Sequence, residues 1–155
     1  PEGVMTEKKP FFKLMIDLMT NLGLSGAQAS EAGVYSIFVD NRIEVHIGCP
    51  DEKDLFMYCF LGPLAVDASD PLAQSKALLG LNEMTTKWSP TVYLTPDNNV
   101  GVWCQTALSD LDLTTTVGLF AMFLDAVLPI DRLLHDLPEE VSTPELDITK
   151  HTLKG

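Results

Sequence analysis

Positive charge is scarce in this chain. Ten lysines and arginines stand against 22 aspartates and glutamates, a net charge of −12. Nucleic acid and anionic lipid bind through a basic footprint, so both are excluded as principal partners. A surplus of acid suits a basic or amphipathic polypeptide instead. Cysteine is rare as well. Cys49, Cys59 and Cys104 are odd in number and lie in or beside apolar runs, the pattern of buried reduced thiols in a cytosolic protein. No apolar run reaches the length of a membrane span, and the opening residues lack the form of a signal peptide, so neither membrane insertion nor a leader is expected.

The residue patterns of covalent chemistry are missing too. There is no phosphate-cradling Gly-rich loop and no G-x-S-x-G elbow. His46, His135 and His151 are scattered, and none has a Cys or second His at metal-ligand spacing. Glu44 and His46 alternate on one face of a predicted strand, which a solvated strand face explains without acid–base work. Asp51, Glu52 and Asp54 follow Cys49 closely and disfavour a reactive thiolate there. The sequence therefore predicts no enzyme, no cofactor and no metal.

What is present is apolar patterning. The 155 residues are 46% hydrophobic and 21% charged, enough for one globular domain. Its centre is the stretch 34–64. Val34 to Val39 is a β-branched and aromatic run, Asp40-Asn41-Arg42 turns it, and Ile43 to Ile47 returns with strict alternation. Leu55 to Leu61 is a third strand with no polar face, which needs cover on both sides. Before this unit, Phe11 to Leu22 has helical spacing, with Pro10 at its first turn and Gly23 as its stop. Its apolar arc spans about 200°, roughly twice what one packing face needs. Residues 25–33 form a connection, with room for a short helical turn over 27–32.

Ser69-Asp70-Pro71 opens a second helix running to about Thr86. Its apolar residues fall on two sides, Leu72 and Leu79 opposite Ala77, Leu81 and Met84, so it requires packing on both. Thr91 to Thr95, Pro96 to Asn99 and Val100 to Thr106 read as a hairpin with a four-residue loop. Ser109 or Asp110 caps a third helix with the stripe Leu113, Val117, Phe120, Leu124 and Val127, stopped or kinked by Pro129, with a last turn to Leu134. An acidic, Pro-containing tail over 135–155 is expected to be mobile, as are residues 1–10. The domain between them, 11–134, is α+β: an antiparallel twisted sheet with three helices, in the order α-β-β-β-α-β-β-α.

Several strings in this order resemble the class I type III secretion chaperones, the CesT/Tir-chaperone family. They are Leu55-Phe56-Met57-Tyr58-Cys59-Phe60-Leu61-Gly62-Pro63, then Ala77-Leu78-Leu79-Gly80-Leu81-Asn82, then Leu119-Phe120-Ala121-Met122-Phe123-Leu124. The likeness runs from about Phe11 to Leu128. It implies a homodimer in a bacterial cytoplasm that keeps the N-terminal segment of a secreted effector extended for the secretion apparatus. It also implies contacts. Effector segments would pack on Phe11, Phe12, Leu14, Met15, Ile16 and Met19, and on Phe38. The twin subunit would meet Leu78, Leu81, Met84, Trp88 and Trp103. Two other readings stay open: a dimeric regulatory module of the same architecture without a secretion client, and a domain whose surplus apolar surface lines a small-molecule pocket.

Overall fold

The computed structural model describes residues 9–63 and 89–135. The helix expected over 69–86, most of the expected tail over 135–155 and nearly all of residues 1–10 lie outside the described residues. Within them the order is α1 (Pro10–Asn21), β1 (Tyr35–Val39), β2 (Ile43–Gly48), β3 (Asp54–Pro63), β4 (Thr91–Leu94), β5 (Asn99–Ala107) and α2 (Leu113–His135), with a 3₁₀ turn at Leu108–Asp110 before α2. All strand pairings are antiparallel, in the order β1-β2-β3-β5-β4. The α+β class and the antiparallel sheet are as expected. Two of the three expected helices belong to the described residues.

Period-2 alternation divides the sheet into two faces. Tyr35, Ile37 and Val39, Ile43, Val45 and Ile47, Leu55, Met57 and Cys59, and Val100, Val102 and Cys104 point inward and are buried. The two helices cover this face, and α2 packs on both β3 and α1. The buried stripe of α2 is Leu119, Phe120, Phe123, Leu124, Val127, Ile130 and Leu134. By length and composition α2 is long and apolar enough to cross a membrane. A count of unbroken apolar runs passes it over, because Thr and Asp interrupt it. Its packed stripe makes it the core helix of this domain.

Local chemistry sets the boundaries. The Schellman motif after α1 donates from Leu24 N–H to the Met19 carbonyl and from Gly23 N–H to the Thr20 carbonyl. Gly23 supplies the required positive φ of 78°. Asp112, rather than Ser109 or Asp110, caps α2. Its Oδ1 accepts from Thr115 N–H at 2.8 Å, while Asp112 N–H donates to Thr115 Oγ1 at 2.8 Å. Hydrogen bonds from the Thr115 N–H and hydroxyl hold the Asp112 carboxyl below the usual carboxylate range. Pro129 neither stops nor ends α2, which runs on to His135. Pro129 is on the exposed side of the helix, where water can satisfy the carbonyl left without a donor. Residues 25–33 form turns without the expected helical turn. At the β1–β2 turn Asp40 and Asn41 both take positive φ, as an Asx-rich turn allows.

Candidate functional site

The outward sheet face is aromatic. Ser36, His46, Tyr58, Trp103 and Thr91 stand in register across all five strands. Phe56 and Phe60 flank Tyr58 along β3. Ring centroids are 5.1 Å apart for His46 and Tyr58, 6.1 Å for Phe56 and Trp103, 6.1 Å for Tyr58 and Phe60, and 6.5 Å for Phe60 and Tyr93. Phe60 is 46% exposed and Trp103 is half-buried. Gly101 makes the layer fit, because a Cβ there would come within 2.4 Å of Tyr93 Cζ. The Tyr93 ring covers that gap in the sheet. Such a surface offers large apolar area with polar tips, the composition of association surfaces.

One corner of this face opens into a cavity of about 830 Å³. Lys9 lines it together with Phe11 and Phe12 of α1, Val34 with Tyr35 of β1, Gly48 at the end of β2 with Cys49, Pro50 and Glu52 of the β2–β3 connection, and Phe56, Tyr58 and Trp103 from the sheet. Tyr35 is 2% exposed, edge-on to Phe11 at 5.9 Å, and its hydroxyl has no hydrogen-bond partner. Burial raises its pKa. Glu52 Oε1 is likewise shut off from solvent without a partner. Glu52 has φ of 57°, within the turn that its N–H closes by donating to the Cys49 carbonyl at 3.2 Å. The Cys49 thiol is pushed up to about 11 by burial first, then by Glu52, Asp51 and Asp54.

The structure sorts the contact residues expected from the resemblance. Met15 and Met19 are 0% and 2% exposed, and Phe11 and Leu14 are also buried. In this subunit they belong to the hydrophobic core. The wide apolar arc is used inside the subunit, because α1 lies between α2 on one side and Tyr35 on the other. Of that set, Phe12 at 41% exposure and the half-buried Ile16 reach the surface. Phe38 is half-buried on the outward sheet face. Trp103 is on the same face, while Leu78, Leu81, Met84 and Trp88 lie outside the described residues. Neither Tyr35 nor Glu52 is marked as a site residue by the sequence. Alternation makes Tyr35 a core residue, and nothing in the sequence marks its hydroxyl as unpartnered.

At the opposite end of the sheet, Arg42 in the β1–β2 turn donates to Asp131 Oδ2 on α2 at 2.7 Å. Asp131 is 5% exposed. One turn on, His135 Nε2 lies 2.9 Å from the Leu61 carbonyl, beside the register shift between Phe60 and Gly62. These bonds fasten the hairpin tip and the β3 bulge to the end of α2. Ser36 Oγ lies 2.9 Å from His46 Nδ1, and Glu44 Oε1 is 3.8 Å from His46 Nε2. The second distance is too long for a hydrogen bond, so the acid does not orient the imidazole as a nucleophilic triad requires. No group of three or more His, Cys, Asp or Glu among the described residues is placed to hold a metal ion.

Solved structures share this arrangement. The type III secretion chaperone SycH of Yersinia pestis, in complex with a stable fragment of YscM2, superimposes with a TM-score of 0.62 at 21% identity, covering 76% of this chain and 97% of that one. The ExoT–SpcS complex of Pseudomonas aeruginosa gives 0.61 at 15% identity, covering 79% and 98%. The heterodimeric ExoU–SpcU complex of the same organism's type III secretion system gives 0.62 at 13% identity, covering 79% and 98%. At these identities the likeness establishes the fold. Among curated proteins none matches the sequence closely enough to count as a relative. The sequence model of the Tir chaperone protein family, CesT, matches residues 13–128, from α1 almost to the end of α2. The chain belongs to the Tir chaperone protein (CesT) family.

Proposed function

We propose that this chain is a type III secretion chaperone that binds the N-terminal segment of a secreted effector and holds it extended and ready for export from a bacterial cytoplasm. The family match over 13–128 carries this reading. The α1–β1 corner supports it, since a chain held unfolded needs a preformed apolar surface. The structures that share the fold include a chaperone–effector complex.

The working unit is a homodimer. Trp103 and the outward aromatics supply part of the seam, continued by Leu78, Leu81, Met84 and Trp88. Phe12, Ile16 and Phe38 contact the client. The role is one of binding, with no covalent step assigned to any residue.

Co-expression with candidate effectors from the same genome tests the proposal. The expected outcome is a stable complex in which the effector's N-terminal segment becomes protease-resistant while its solubility depends on this chain. Phe12→Asp and Ile16→Asp should each weaken that complex about tenfold or more, with the circular dichroism of the free chaperone unchanged. A chain that binds no effector and protects no N-terminal segment overturns the reading.

A further inference from the structure

The α1–β1 cavity and the outward sheet face share aromatic residues. Of those lining the cavity, Phe56, Tyr58, Tyr93 and Trp103 belong to that face, whereas Phe12 and Val34 belong to the α1–β1 corner. Trp103 is common to both surfaces. Its ring packs on Phe56 at 6.1 Å, and it stands opposite Tyr58 in the row that crosses the sheet. Tyr58 and Trp103 are half-buried in the single subunit, so each keeps ring surface for an outside contact.

We propose that the second subunit completes the client cavity: seated on Tyr58 and Trp103, it adds a wall where the cavity meets the open sheet face, so client binding and dimer formation strengthen each other. The inference rests on the client-binding and dimer reading above and adds how the two events are linked. The walls present in one subunit come from α1, from residues 29–34, from the β2–β3 connection and from the sheet. At about 830 Å³ the cavity has room for several side chains, so twin and client need not exclude each other. Whichever arrives second meets rings already held by the first, and less side-chain freedom is lost at that step. Linkage is reciprocal. The factor by which the client tightens the dimer is the factor by which the dimer tightens the client.

The test uses a twelve-residue peptide selected by phage display on the whole chain, kept only if Phe12→Asp weakens its binding and so places it at the corner. Sedimentation equilibrium reads the dimer dissociation constant with and without saturating peptide. The expected result is a constant lower by about fivefold or more when the peptide is bound. Anisotropy of the labelled peptide, measured at chain concentrations below and above that constant, should give the same factor in peptide affinity. Trp103→Ala should weaken dimer and peptide together with circular dichroism unchanged, and Trp103→Phe, which keeps a ring, should retain both. A dimer constant that the peptide leaves unchanged or raises overturns the linkage and leaves the chaperone reading intact. A chain that stays monomeric at every concentration overturns the dimer and the linkage with it. A library that returns no corner-binding peptide overturns client binding there, and the linkage falls with that reading.

Discussion

Single side chains in this protein divide between those the subunit needs and those it leaves for others. Met15 belongs to the first kind. Placing a charge at a position with 0% exposure strands it in the core, and Met15→Asp should cost more than about 4 kcal/mol, measured as loss of the cooperative denaturant transition rather than as a selective loss of client. The three thiols are also of the first kind. Burial is the first cause at each, and pushes Cys59 and Cys104 up to about 12 and Cys49 to about 11. The unfolded thiols ionise near 9.0, so the folded state holds its protons longer. This contribution to stability is complete below that value and is lost as pH rises toward 12. Urea midpoints measured across that range should fall. Iodoacetamide at pH 8 should label the native protein far more slowly than the unfolded one.

At the level of helices and strands, the tie between Arg42 and Asp131 joins residues 89 apart in sequence. Removing the buried carboxyl in Asp131→Ala frees the β1–β2 turn. Because Arg42 is 45% exposed and can turn to water, the cost should be about 1–3 kcal/mol by urea denaturation, below that of a fully buried pair. Gly101→Ala pushes Tyr93 off the sheet and should cost about 1–3 kcal/mol, with a changed near-ultraviolet spectrum reporting the displaced ring. Much of this was legible beforehand. Alternation through Ile43, Val45 and Ile47 assigned the faces, and Gly23 marked the end of α1. Composition does not single out Asp112 as the cap of α2, because Ser109 and Asp110 are equally good capping types and the 3₁₀ turn that absorbs them leaves no trace in composition. By spacing alone the arc of α1 looks wider than one packing face needs. Spacing counts apolar residues but does not show how many neighbours converge on them, and here α2 and Tyr35 take both flanks.

For the whole molecule, the proposed dimer predicts a light-scattering mass of twice 17.0 kDa, shifted toward one chain by Trp103→Glu while secondary structure is kept. The class of fold and the family were legible because strand order and helix position are written in periodicities spread over many residues. The cavity was not, since it is assembled from α1, β1, the β2–β3 connection and β5, and no local window contains it. One edge strand has a further consequence. β1 is fixed at one end by Tyr35 beneath Phe11 and at the other by Arg42 on Asp131. A strand clamped at both ends behaves as a stiff rail. It has little entropy left to lose, so any polypeptide aligning along it bears the ordering penalty alone, and the balance between capture and release is tuned by the passenger's sequence rather than by its carrier's.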